Sequence, residues 1–197
     1  MAETAAYLLR VDRLSKRFGG LTATDTLTLE VARGELHALI GPNGAGKTTL
    51  IAQLSGELRP DGGRILFDGD DITRMPTHRR VHRGLARSFQ ITSVFGGLTA
   101  ADNVALAAQA RAGHSFRFWR DARRDAALRR PAQAVLERVG LAGRADAPAT
   151  SLSHGEKRQL EMAMALATRP TMLLLDEPMA GMGPEESARM VALLKSL

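Results

Sequence analysis

Two stretches near the start of the chain, Tyr7-Leu8-Leu9-Arg10-Val11 and Leu27-Thr28-Leu29-Glu30-Val31, alternate apolar and polar positions. That period of two predicts half-buried antiparallel strands. Leu36-His37-Ala38-Leu39-Ile40 is almost continuously apolar and runs into Gly41, which predicts a buried strand ending at a glycine loop. A helix is expected from Gly46 to about Glu57, then a turn at Pro60-Asp61-Gly62-Gly63. Arg64 to Gly69 predicts a short strand closed by a turn, and Leu85 to Phe89 a further strand. From Ala100 to about Arg144 the pattern becomes Ala-, Leu- and Arg-rich at helical spacing, with breaks expected near Gly113 and at Pro131. Ser153, with Glu156 three positions on, has the capping-box pattern that opens a helix, here one ending near Arg169-Pro170. Thr171 to Asp176 reads as a buried core strand.

Length and composition narrow the class. A chain of 197 residues holds one core of ordinary size, or a main domain with a small appendage. Its 44% hydrophobic and 24% charged content is that of a globular protein, and no apolar run approaches the roughly 20 residues that cross a bilayer. The first residues lack the basic and apolar regions of a secretion signal. Zero cysteines exclude disulfides and thiolate metal sites, and a cytoplasmic setting is expected. The net charge of +6 is concentrated in two Arg-rich stretches, Arg74 to Arg87 and Arg111 to Arg130. With only 4% aromatic residues, these read as solvated helix faces rather than a base-stacking platform, so a nucleic-acid partner is not expected.

Two motifs carry chemistry. Gly41-Pro42-Asn43-Gly44-Ala45-Gly46-Lys47-Thr48, with Thr49 following, matches the Walker A pattern G-x-x-x-x-G-K-[ST] between an expected strand and an expected helix. Glycines let the backbone wrap closely, so that successive N–H groups and the helix N-terminus face phosphate oxygens. Lys47 is expected on the β- and γ-phosphates of ATP and the Thr48 hydroxyl on Mg²⁺. The second motif, Met172-Leu173-Leu174-Leu175-Asp176-Glu177, is an apolar strand ending in two acids, as in Walker B. Asp176 would hold Mg²⁺, and Glu177 would act as general base on the attacking water.

Between these motifs lies Leu152-Ser153-His154-Gly155-Glu156, which resembles the signature of the ATP-binding-cassette family. The resemblance runs from Tyr7 to Leu197 and implies an α/β fold: a P-loop core with a parallel sheet, an antiparallel β subdomain and an α-helical signature subdomain. It implies one ATP-binding domain over 7–197, with the helical subdomain inserted at about 95–165. Phe18 matches the aromatic that stacks on adenine. Gln90, in Arg87-Ser88-Phe89-Gln90, matches the glutamine that contacts Mg²⁺ and the attacking water. Ser153, His154, Gly155 and Glu156 occupy the segment that receives ATP held by a second cassette, with His154 and Glu156 standing where many members have glycine and glutamine. Gly183 stands where many members have a D-loop aspartate.

Arg17-Phe18-Gly19-Gly20-Leu21, the long helical middle and Asp176-Glu177-Pro178-Met179-Ala180-Gly181 resemble one subgroup, the ATPase subunits of importers for branched-chain amino acids or related small solutes. That implies a homo- or heterodimer of cassettes on the cytoplasmic face of the membrane, bound to transmembrane permease subunits and served indirectly by a solute-binding protein. The alternatives are a lipid- or lipopolysaccharide-export ATPase and a non-transport cassette acting on nucleic acid or ribosomes. The family's switch histidine follows Walker B by a helix and a strand, whereas all five histidines here precede it. The expectation is therefore a C-terminally truncated chain that binds Mg·ATP and turns it over poorly.

Overall fold

β1 (Tyr7–Phe18) and β2 (Leu21–Ala32) are the two strands expected from alternation, joined by the glycine pair that lets Phe18 face Leu21 across a tight turn. In the computed structural model, residues 7–88, 94–112 and 126–197 are described. β3 (Gly62–Phe67) pairs antiparallel with the other side of β1, and β4 (Asp70–Asp71) extends β3, giving the order β2-β1-β3-β4. Leu9, Val11 and Leu14 of β1 are buried together with Ile65 and Phe67 of β3. Burying such a set contributes about 1.5–3 kcal/mol per side chain, which fixes strand register because a one-residue slip would turn it toward water.

The chain divides into two compact units, Met1–Leu85 and Ala86–Leu197. The first holds the four-stranded sheet, α1 (Lys47–Ser55) and α2 (Thr77–His82). β5 (Leu85–Arg87) begins at the last residue of the first unit and pairs with β6 (Met172–Leu174), the ladder continuing within the second as the Ser88 N–H donates to the Leu174 carbonyl at 3.0 Å. Around this lie α3 (Ala100–Ala112), α4 (Ala126–Arg138), α5 (His154–Ala167) and α6 (Pro184–Lys195). The fold is mixed α/β, with antiparallel and parallel sheets. Val104, Leu136, Leu160, Ala163, Met190 and Leu193, one or more from each helix, form the second unit's core. Buried Asn103 ties the entry to α3 by accepting the Phe95 N–H at 2.8 Å and donating to the Thr99 carbonyl at 2.9 Å.

Four expectations are corrected. The run Leu36 to Ile40 forms no strand, and Leu36, Leu39 and Ile40 are 70%, 42% and 92% exposed. A strand needs a neighbour for its backbone N–H and C=O groups, and no strand of the described residues pairs with this run. Pro131 lies inside α4 rather than breaking it. A proline five residues into a helix forfeits one backbone bond, and burial of Ala132, Leu136 and Val139 downstream outweighs that loss. The strand before Asp176 covers only Met172–Leu174 and is half-buried. Last, Arg80, expected on a solvated face, is only 2% exposed. Residues 113–125, which include Gly113 and the middle of the second Arg-rich stretch, lie outside the described residues.

Candidate functional site

The glycine–lysine loop belongs to the first unit. Pro42 to Ala45 are exposed, and the Ala45 N–H donates to the Pro42 carbonyl at 3.2 Å. Gly46 is the N-cap of α1 at φ +89°, and a Cβ there would run into the Ala23 carbonyl of β2. Only glycine satisfies both the left-handed backbone and that close approach. No side chain caps this end of α1 and no acid lies in its first turn, so no carboxylate of its own offsets the positive end of the helix dipole. Lys47 Nζ donates to the Gly41 carbonyl at 2.6 Å and the Pro42 carbonyl at 2.8 Å. The lysine thus closes the loop on itself through neutral carbonyl acceptors, and an anionic phosphate oxygen would add the attraction of opposite charges that these lack. The Thr48 side chain is exposed and that of Thr49 half-buried.

Phe18, at the end of β1, is 49% exposed, and Lys16 Nζ lies 5.5 Å from its ring centroid. Asp61 sets this arrangement: its carboxylate accepts Lys16 Nζ at 2.8 Å and the Arg17 N–H at 2.8 Å. Those bonds, the lysine first, hold the Asp61 carboxyl below its ordinary value. An aromatic ring exposed to this extent offers a surface on which a nucleobase can stack.

The acidic pair lies in the second unit. Asp176 is 4% exposed and its carboxylate is 3.5 Å from Arg87 Nη2. Burial of a carboxylate is costly unless a cation compensates, and Arg87 supplies one. Glu177 is exposed and adopts φ +49°, its carbonyl accepting the Ala180 N–H at 3.0 Å. A left-handed backbone costs an L-residue about 1–2 kcal/mol, and such strain concentrates at functional positions. Among the described residues, no three His, Cys, Asp or Glu side chains gather as a metal cage. The exposed Thr48 hydroxyl of the first unit and the Asp176 carboxylate of the second are each a hard oxygen donor of the kind Mg²⁺ takes. Gln90 lies outside the described residues.

The signature segment opens α5. The capping box is present: the Ser153 hydroxyl oxygen accepts the Glu156 N–H at 3.1 Å, and the Glu156 carboxylate accepts the Ser153 N–H at 2.7 Å. Glu156 also faces Arg144 Nε at 3.2 Å, so its charge is turned onto the helix end and a guanidinium. Ser153 and His154 are exposed, and Gly155 is buried under the Glu186 carboxylate, which caps α6 by accepting the Gly183 N–H at 3.0 Å. A Cβ at Gly181 would lie 2.5 Å from His154 Cδ2, so the imidazole rests on the D-loop backbone.

In the sequence Arg87 is a motif flank and Asp61 a turn residue, and neither they nor Glu186 carry a predicted role at the site. Glu186 had a readable signal, since Gly183-Pro184-Glu185-Glu186 places Pro at the first helical position and Glu at the third. Arg87 and Asp61 act on partners 89 and 45 residues away and carry no local pattern.

A family model described as ABC transporter matches residues 24–180. The chain is 37% identical to the high-affinity branched-chain amino acid transport ATP-binding protein BraF of Pseudomonas aeruginosa, covering 96% of this chain and 76% of that protein. It is 38% identical to the corresponding LivG protein of Escherichia coli K12, with the same coverages of 96% and 76%. A nucleotide-free ATP-binding cassette from an ABC transporter superposes with a TM-score of 0.83 at 30% identity, over 96% of this chain and 76% of that one. The ADP conformation of an ATP-binding cassette of an ABC transporter gives a TM-score of 0.83 at 31% identity and the same coverages.

Proposed function

The chain belongs to the ABC transporter family, as an ATPase homologous to the ATP-binding subunits of branched-chain amino acid importers, and on that premise we propose that it binds Mg·ATP and powers import of branched-chain amino acids or related small solutes. The observation that carries this reading is the pairing of two helix N-termini with opposite treatment. α1 begins at a glycine with no side-chain cap, beside Lys47, whereas α5 begins at an exposed Ser153 held by a capping box. The first leaves the start of α1 to a phosphate held by the chain itself. In the second, Ser153 Oγ serves the cap as an acceptor, so its hydroxyl hydrogen can donate to a phosphate presented by another cassette.

Gly41 to Thr49 cradle the phosphates, Lys47 exchanging its loop carbonyls for phosphate oxygens. Phe18 stacks on adenine. Thr48, Asp176 and Gln90 would hold Mg²⁺, which supplies charge neutralisation at the β- and γ-oxygens. Glu177 accepts a proton from the attacking water, and Gln90 orients that water. Ser153 donates its hydroxyl, and Gly155 its backbone N–H, to the γ-phosphate of ATP held by a second copy or a related cassette. ATP shared across the interface favours the closed dimer through differential affinity, and loss of the γ-phosphate opens it. Within a single ATP-binding domain over 7–197, the helical subdomain at about 95–165 would pass this motion to transmembrane permease subunits at the cytoplasmic face, with a solute-binding protein delivering the cargo. No described helix is long and apolar enough to cross a membrane, which is compatible with that peripheral role.

The test is uptake in the native host. Deleting the coding sequence is expected to lower uptake of labelled leucine, isoleucine and valine at least about tenfold, with restoration by the wild-type chain and not by Lys47→Ala. Normal uptake together with altered envelope lipid would overturn the importer reading and point to an exporter.

A further inference from the structure

We propose that Arg80 is a positioning residue for the phosphate loop: its buried guanidinium holds the C-terminal end of α1 and thereby fixes the N-terminus that meets phosphate. The inference rests on the nucleotide reading above and concerns a residue about one helix length from the ligand.

Arg80 sits in α2 while its neighbours His78, Arg79, His82 and Arg83 are exposed. Its acceptors are all backbone carbonyls and none is a carboxylate. Nη1 donates to Gln53 at 2.9 Å and to Leu54 at 2.7 Å, Nε to Met75 at 2.8 Å, and Nη2 to Thr73 at 3.1 Å. Gln53 and Leu54 lie in the last turn of α1; the Gln53 carbonyl also accepts the N–H of the C-cap Gly56 at 3.3 Å, so Arg80 adds a second, charged donor to it and supplies one to Leu54. Gly56 makes the room, since a Cβ there would come within 2.7 Å of Nε and 3.0 Å of Cζ. Burial pulls the guanidinium pKa down to about 10, partly offset by the charge of Asp71, and it remains a cation at neutral pH.

A buried cation without a bonded carboxylate is an expensive way to fill space, and an apolar side chain would pack there at lower desolvation cost. What the charge achieves is specific to a helix end. α1 carries no basic residue in its own last turn and no acidic residue in its first. Arg80 supplies from another element the cation that complements the negative end of the dipole, while the positive end is left for a ligand's charge. α1 is also fixed to β2, at its loop end by Gly46 against the Ala23 carbonyl and in its last turn by Gln53 Nε2 donating to Thr24 Oγ1 at 2.8 Å, beside the carbonyls that Arg80 holds. Nine residues at 1.5 Å each span roughly 13 Å. A rotation of the helix at the Arg80 end therefore displaces the first-turn N–H groups at the loop end.

Titrate the full chain with a fluorescent ADP analogue, and record thermal unfolding and the phosphorus NMR signal of bound ADP for Arg80→Met, Arg80→Lys and Gly56→Ala. For Arg80→Met, ADP affinity is expected to fall about tenfold below the unfolding temperature, near the upper range of helix-end charge effects. The bound β-phosphate resonance should move with it. Arg80→Lys keeps the charge but bridges fewer carbonyls, and should recover most of the affinity. Gly56→Ala crowds the guanidinium but also puts a Cβ on a left-handed C-cap and 3.0 Å from the Met75 carbonyl. It therefore counts for the proposal only if its affinity loss is larger when Arg80 is present than in the Arg80→Lys background. If Arg80→Met fails to fold, Arg80→Gln, which keeps donors but no charge, takes its place and should lose affinity. Lower melting temperatures with ADP affinity and resonance unchanged would overturn the proposal and leave Arg80 a structural residue. A wild-type chain that binds no ADP would instead overturn the nucleotide reading, and this inference with it.

Discussion

Glu177→Gln is expected to lower ATP turnover by about a thousandfold while leaving nucleotide affinity within about threefold. A positioned general base contributes on the order of 10²–10⁴ in rate, and an amide of the same shape accepts no proton. The fold should tolerate the change, because the Glu177 side chain is exposed and what anchors the residue is its backbone carbonyl, bonded to the Ala180 N–H at 3.0 Å. Phosphate release by the assembled transporter, beside nucleotide titration of the same preparation, measures both halves. Turnover within tenfold of the unmodified protein would remove Glu177 from the role of base. The left-handed backbone at φ +49° sharpens the expectation. An acid kept at a strained, exposed position beside a buried Asp176 is one whose direction matters more than its stability.

Gly46→Ala should abolish measurable nucleotide binding, a loss of at least about a hundredfold, and cost about 2–5 kcal/mol of stability. Two effects add. The left-handed conformation costs an L-residue about 1–2 kcal/mol, and the new Cβ meets the Ala23 carbonyl, backbone that cannot swing aside, which costs a further 1–3 kcal/mol or so. The chain can relieve the overlap only by lifting the loop off β2, and that scatters the N–H groups at the start of α1. Lys47→Ala is the informative companion. It removes the two bonds to Gly41 and Pro42 without moving backbone, so it should lose affinity while unfolding near the wild-type denaturant midpoint. If Gly46→Ala bound nucleotide as the wild type does, the loop would not depend on its seat against the strand.

What could be read from the sequence was whatever depends on neighbours in the chain. The β1–β2 alternation, the glycine loop before α1 and the Ser153–Glu156 capping box each concern residues a few positions apart, and each stands in the structure where expected. Failures arose where a distant partner decides. Leu36 to Ile40 is apolar enough for a core strand, yet strand formation is a property of pairs, and no described strand pairs with it. Pro131 has a local veto on helix that burial of Ala132 and Leu136 overrides. Arg80 looks like any arginine in a basic run, and only the carbonyls of Gln53 and Leu54, 27 and 26 residues earlier, explain its burial. For the site the same division holds. Loop, acids and signature were legible as motifs, while the Arg87–Asp176 contact and the Asp61 brace beneath Lys16 and Phe18 were not.

The imidazole of His154 resting on Gly181 ties two loops of the second unit through one small volume. A side chain introduced at 181 would take on a left-handed backbone at φ +76° and push the His154 ring out toward water, whereas a smaller residue at 154 would open that space without touching the backbone. The helix that Ser153 opens and the turn that follows the acidic pair, 27 residues downstream of His154, thus feel each other's side chains before any ligand arrives.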